Sequence, residues 1–259
     1  MKIYVFCDME GISGISGSDY VNTGGRCYQI GCRYMTWDIN ACVRGCFNGG
    51  AKTVVVRDGH GSGNNVLWDE LDPRVEMVQG HGGDRRMPGL EQCDALILLG
   101  YHAMAGTPGA LLDHTYSSES IQNMWMNGRL VGEFGIDAGI AADLHMPVIM
   151  TSGDDKLCAE AKDWIPQIVT AQVKAGIACQ GARLLPKEAA HRLIEEKAAE
   201  AVKLAGKIRP LKVKRPVTIR TEVVERRSIP NGFARPDVKI IDGRTFETTA
   251  ETVEKAFMR

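Results

Sequence analysis

Four short apolar runs, at residues 3–7, 53–56, 95–99 and 148–151, each give way to acidic or histidine residues. The first runs into Asp8-Met9-Glu10 and the second into Asp58-Gly59-His60. The third leads to Gly100-Tyr101-His102 and the fourth to Gly153-Asp154-Asp155. Runs this short, bounded by turn residues, read as buried strands rather than helices. Helical spacing lies between them. Ile39, Cys42, Val43, Cys46 and Phe47 mark one face of a helix that starts near Cys27, and Asn48-Gly49-Gly50 stops it. Residues 136–144 form a second helix. Strands alternating with helices predict an α/β fold, a three-layer α/β/α arrangement around a mostly parallel sheet. Ligands of such sheets collect beyond the carboxyl ends of the strands, where these polar clusters fall.

The remaining segments complete the expected organisation. Residues 75–78 are a short strand. Residues 121–126 and 130–132 pair as a hairpin across Asn127-Gly128, a dipeptide that accepts the left-handed turn. After about residue 165 the pattern changes. Residues 165–185 carry no clear acidic or histidine cluster, and 186–205 form a charged amphipathic helix. Strands near 217–224 and 238–241 follow, then a helix starting near Glu251. The expected division is an α/β metal-binding catalytic domain over 1–164 and a smaller α+β domain over 165–259, without ligands of its own and serving packing or oligomerisation.

Composition narrows the function. A length of 259 residues allows a real core, and 44% apolar with 24% charged content is ordinary for a globular chain. The net charge of −1 gives no general attraction to nucleic acid or to an anionic membrane. No apolar run approaches a membrane span, and Asp8 and Glu10 interrupt the only N-terminal apolar stretch, so no secretory leader is expected. The chain reads as cytoplasmic. Its eight cysteines include no CxxC pair and are expected to be free thiols. Several mechanisms drop out. There is no G-x-S-x-G elbow, P-loop, complete dinucleotide fingerprint or H-E-x-x-H. Cys7 adjoins Asp8, whose charge opposes a thiolate.

Asp8 and Glu10 are two residues apart at a strand end, so their carboxylates share a face. Side by side they repel unless one is protonated or a cation lies between them. Taken singly, each polar residue has an ordinary explanation. The acid pair can cap a loop or bind an arginine. His60 can sit on a surface turn, and His102 in a satisfied core position. Glu133, in Gly132-Glu133, can simply favour a helix start. Their common placement after strands argues instead for one metal site made of Asp8, Glu10, His60, His102 and Glu133. His114, in the loop Asp113-His114-Thr115, is the candidate general acid or base. Asp154 and Asp155 read as loop, cap or supporting acids, and His81, His145 and His191 lack matching neighbours. Three carboxylates carry −3, which two divalent ions and a hydroxide balance, so two metals fit better than one. Mixed oxygen and nitrogen ligands suit zinc, although manganese, cobalt and iron accept them too. A two-metal site matches hydrolysis, in which the ions activate water and stabilise an oxyanion.

These residues also form a recognisable pattern. Asp8-Met9-Glu10-Gly11-Ile12-Ser13-Gly14, Asp58-Gly59-His60, Leu99-Gly100-Tyr101-His102-Ala103, Thr107-Pro108-Gly109, His114, Gly132-Glu133 and Gly153-Asp154-Asp155 occur in order. The chain resembles the zinc D-aminopeptidases associated with dipeptide-transport loci. The resemblance implies two Zn2+ per chain, with Asp8, Glu10, His60, His102 and Glu133 as ligands, Asp8 as a bridge and His114 as the catalytic histidine. It also implies a homodecamer of two stacked pentameric rings with sites facing an internal chamber. Its substrates would be short peptides or amino-acid amides with a free N-terminus, D-configured in the family's named case. Two other functions fit the same site: a metal-dependent amidohydrolase on a small non-peptide amide, and a non-catalytic binding protein that keeps the metal.

Overall fold

The computed structural model describes residues 1–231, 235 and 237–258. In chain order its first strands are β1 (Lys2–Cys7), β2 (Thr53–Asp58), β3 (Glu76–Val78) and β4 (Ala95–Leu99). Then come β5 (Ile121–Met126), β6 (Arg129–Leu130), β7 (Val148–Gly153), β8 (Val169–Gln172), β9 (Lys174–Ala178) and β10 (Gly181–Leu184). The last are β11 (Val217–Val223), β12 (Val238–Ile240) and β13 (Thr245–Ala250). The helices are α1 (Tyr28–Asn48), α2 (Glu133–Asp143), α3 (Asp155–Trp164), α4 (Lys187–Leu204) and α5 (Val253–Phe257).

Six strands make a parallel sheet in the order β3-β2-β1-β4-β7-β8. β4 and β7 are buried along their whole length, and β1 and β2 along all but their first residue. A strand with no solvent face needs cover on both sides, and helices supply it. α1 packs along α4 so closely that a Cβ on Gly45 would collide with the Glu195 carbonyl. Such contact requires glycine at that position.

The second sheet is antiparallel, in the order β12-β13-β11-β5-β6. The hairpin between β5 and β6 turns at Asn127 (φ 52°) and Gly128 (φ 83°), both left-handed as that turn demands. α2 lies between the two cores. Phe134, Ala138 and Ala141 join the large core, while Ile136 and Ile140 pack with Met124, Ile219 and Val253 in the smaller one.

The sheets exchange segments across residue 164. β8, from the C-terminal part, extends the parallel sheet, and β5 and β6, from the N-terminal part, join the antiparallel one. Residues 165–185, which the sequence marks only by the lack of an acidic or histidine cluster, form β8, β9 and β10. Among the described residues no helix is long and apolar enough to cross a membrane.

Candidate active site

The register of the parallel sheet assembles the site. Cys7 pairs with Asp58 on one side and with Leu99 on the other, so three strands end side by side. The residues that follow, Asp8 to Glu10, Gly59-His60 and Gly100 to His102, therefore leave the sheet at one edge. Gly11 donates its N–H to the Gly100 carbonyl at 2.7 Å, and a Cβ there would collide with the Tyr101 carbonyl. The close approach of these two loops accounts for the glycine in the D-M-E-G-I-S-G block. Glu133 enters from the first turn of α2, beneath the loop that carries His114.

The six predicted side chains converge. His60 Nδ1 lies 3.1 Å from Asp8 Oδ1 and 3.2 Å from Glu10 Oε2. His102 Nε2 lies 3.4 Å from Asp8 Oδ2 and 3.2 Å from Glu133 Oε1. Asp8 thus turns one oxygen to each histidine and stands between two groups. One is Asp8, Glu10 and His60. The other is His102, His114 and Glu133, whose ligand atoms lie within 4.8 Å of one another. His114 Nε2 is 3.6 Å from Glu133 Oε1, and its ring stacks on that of His102 with centroids 4.0 Å apart.

All three imidazoles commit one nitrogen to a backbone carbonyl. His60 Nε2 meets Val21 O at 2.9 Å, His102 Nδ1 meets Ala103 O at 3.0 Å, and His114 Nδ1 meets Leu112 O at 2.8 Å. A carbonyl only accepts, so each of these nitrogens carries the hydrogen. In the neutral rings the other nitrogen is a lone pair directed at carboxylates. Lone pairs facing anions repel unless a proton or a cation intervenes. Glu10 Oε2 and His102 Nε2 are buried without a hydrogen-bond partner. Donors fixed in this way, with the far nitrogen on a carbonyl, fit a divalent metal such as zinc.

Without metal, protons fill the same role. Burial alone would lower the His60 imidazolium, but the charge of Glu10 and the hydrogen bond and charge of Asp8 push it up to about 12. His102 is raised in the same way: burial opposes it, and Glu133 and Asp8 outweigh burial. Burial would raise Asp8, yet the imidazoles of His102 and His60 beside it hold it well below the usual carboxylate range. Glu133 is lowered by His102 against its own burial.

The neighbouring acids shape loops. Asp58 is fully buried and accepts from Asn65 N (2.6 Å), Asn65 Nδ2 (2.9 Å) and His60 N (3.2 Å), which fixes the turn carrying His60. Asp154 caps α3 through Leu157 N (2.8 Å), and its other oxygen accepts from Leu111 N (3.0 Å). That bond anchors the His114 loop, in which Leu112 (φ 51°) and Tyr116 (φ 61°) are left-handed. Two such residues around one histidine are costly, and this is typical of functional loops. Asp155 accepts from Gly176 N at 2.9 Å. His191 meets the buried Asp38 at 3.3 Å, and His81 accepts from Gly83 N, so neither belongs to the cluster.

Sequence reasoning missed three residues around the site. Lys174, on β9, is buried, and its Nζ donates to the carbonyls of Glu10 (2.7 Å), Ile12 (2.8 Å) and Ile15 (2.9 Å). Burial pushes that ammonium down to about 7, against the pull of Asp38, Asp154 and Glu10. Arg86 and Asp137 form a bidentate pair at 3.1 Å beside Glu133. Glu133 and Asp137 are four apart on a helix, the one sequence signal that ties this pair to the site. The cluster opens into a cavity of about 670 Å³, lined by Asp8, Glu10, His60, His114 and Glu133 together with Arg86 and flanking loops.

The family model for D-aminopeptidases matches residues 1–259. The chain belongs to the D-aminopeptidase family. A D-aminopeptidase of Bacillus subtilis (strain 168) is 37% identical over 213 residues, 82% of this chain and 77% of that protein. A solved structure, the Zn-dependent D-aminopeptidase DppA from Bacillus subtilis, described as a self-compartmentalizing protease, superposes with a TM-score of 0.94. It is 32% identical and covers 99% of this chain and 94% of its own. The resemblance carried by the D-M-E-G-I-S-G block is therefore borne out, as is the α/β architecture that membership of the D-aminopeptidase family implies.

Proposed function

We propose that this chain is a dinuclear zinc aminopeptidase that removes N-terminal amino acids, D-configured ones first among them, from short peptides and amino-acid amides in the cytoplasm. One observation carries the reading. Three histidines, each fixed by a backbone carbonyl, turn their free nitrogens onto three buried carboxylates, with Glu10 Oε2 and His102 Nε2 left unpartnered. Family membership and the zinc dependence of the DppA relative support it.

Asp8, Glu10 and His60 would hold one ion, and His102 and Glu133 the other, with an Asp8 oxygen toward each. Bound there, zinc lowers the pKa of water and polarises a carbonyl. His114 has a separate task. It lies on the cavity wall, whereas His102 is buried beneath it. Its Nδ1–H is fixed on Leu112 O, so its Nε2 lone pair is free to take a proton from the attacking water and return it to the leaving amine. The acids of the cavity favour a substrate with a cationic N-terminus. We further propose a homodecamer of two stacked pentameric rings with the sites facing an inner chamber, in keeping with the self-compartmentalizing relative.

The test is a panel of D- and L-aminoacyl amides and dipeptides with zinc, read beside elemental analysis and light scattering. Turnover with close to two zinc ions per chain in a ten-subunit particle is the expected result. Zinc-loaded protein that hydrolyses none of the panel refutes the activity. A stable, fully active monomer refutes the chamber.

A further inference from the structure

Arg86 is held unusually still for an arginine at a cavity wall. Its backbone N–H donates to Glu254 Oε1 at 2.9 Å. Its Nε and Nη2 donate to the two oxygens of Asp137 at 3.1 Å each. The guanidinium carbon stands 4.8 Å from the Phe6 ring centroid and 5.0 Å from that of Tyr116, so two aromatic rings hold the group as well. Asp137 is itself fixed by the Tyr101 hydroxyl at 2.6 Å. Asp137 occupies only the Nε edge. A guanidinium has five donors, and two are used there.

Charge at the cavity wall is one-sided. Asp8, Glu10, Asp113, Glu119 and Glu133 line it, and Arg86 is the one lysine or arginine among the described lining residues. A substrate anion placed elsewhere in the cavity faces carboxylates. Arg86 Nη2 lies 3.7 Å from Glu133 Oε2, too far for a hydrogen bond and close enough to place the guanidinium beside the cluster. In a dipeptide cleaved at that cluster, the terminal carboxylate carbon is roughly 4 Å beyond the scissile carbon, about one residue's reach. Each added residue moves the carboxylate outward by roughly 3.5 Å. We propose that Arg86 is a substrate-binding residue that receives the C-terminal carboxylate of a dipeptide, so that the site selects dipeptides with a free C-terminus. The inference rests on the aminopeptidase reading and adds a substrate class to it.

The experiment compares one D-aminoacyl dipeptide with the same dipeptide amidated at its C-terminus, on zinc-loaded wild type, Arg86→Lys and Arg86→Met. Wild type should favour the free acid, chiefly through KM. In Arg86→Met the ratio of kcat/KM for acid to amide should fall about tenfold or more, the cost of a lost charged hydrogen bond, and Arg86→Lys should recover part of it. Damage common to both substrates cancels in that ratio. A wild type that treats acid and amide alike overturns the proposal even if Arg86→Met fails to fold. So does an Arg86→Met ratio equal to that of wild type. Zinc-loaded wild type that cleaves neither form marks failure of the aminopeptidase reading itself, and the selection falls with it.

Discussion

Lys174→Met tests whether a charge from the C-terminal part of the chain holds the acidic strand-end loop. The ammonium donates to three carbonyls, those of Glu10, Ile12 and Ile15, at 2.7–2.9 Å. A hydrogen bond from a charged group contributes about 1.5–3 kcal/mol. Methionine removes all three and leaves these carbonyls without that donor. Taking a buried ammonium away also relieves several kcal/mol of desolvation. The difference is a net loss of about 3 kcal/mol, or about 6–12 °C in Tm for a chain of this size. The loss should be local as well as global, because the three carbonyls define the path of the backbone that presents Glu10. The assay is thermal melting with and without zinc, beside zinc content by elemental analysis. Lys174→Met is expected to melt early and to hold less than the full complement of metal, with Lys174→Arg in between. If Lys174→Met melts within about 2 °C of wild type and keeps all its zinc, the carbonyl cradle does not hold the loop and the reasoning fails.

Three further outcomes follow from the same geometry. His114→Ala should lower turnover about a hundredfold or more while zinc content is unchanged; loss of zinc instead would make His114 a ligand. Because His60 is pushed up to about 12 and His102 is raised, the metal-free site is protonated at neutral pH. Zinc uptake should therefore release protons and weaken as pH falls, which calorimetry in buffers of different ionisation enthalpy would detect; uptake without release would contradict the site described. Burial pushes the Glu160 carboxyl up from 4.5 to about 7. Its folded-state proton stabilises the chain at low pH, and that contribution is lost as pH rises from about 4.5 to about 7, on the order of 3 kcal/mol in all. Denaturant melts of wild type minus Glu160→Gln should show this decline, and a pH-independent difference would refute it.

The strands that carry the site were legible because each is a continuous apolar run buried on both faces. β1, β2, β4 and β7 owe little to their surroundings for their identity. The site was legible for a related reason: a parallel sheet aligns its strand ends, so residues following the runs at 8, 60 and 102 had to meet. β13 was not legible. Its sequence, Thr-Phe-Glu-Thr-Thr-Ala, has four polar residues in six, and pairing with β11 and β12 makes it a strand. β9 holds a buried lysine among small residues, a pattern that has meaning only once the loop carbonyls it serves are in place. Arg86 lies in a polar loop whose composition suggests solvent, and its partner Asp137 is 51 residues away.

The shared edge of the parallel sheet also sets the order of events as the protein forms. The six converging side chains span residues 8 to 133, with His60 following β2 and His102 and His114 on the long connection after β4. A nascent chain presents nothing that resembles the finished pocket, since β1 must first receive β2 on one side and β4 on the other. Contacts so distant in sequence close late and slowly. Zinc bound at the proposed site would consequently be no nucleus for this fold, unlike that of a small zinc finger, whose ligands are neighbours. It would act as a latch set after the door has shut, and a cell short of zinc would accumulate a shaped but idle protein rather than an unfolded one.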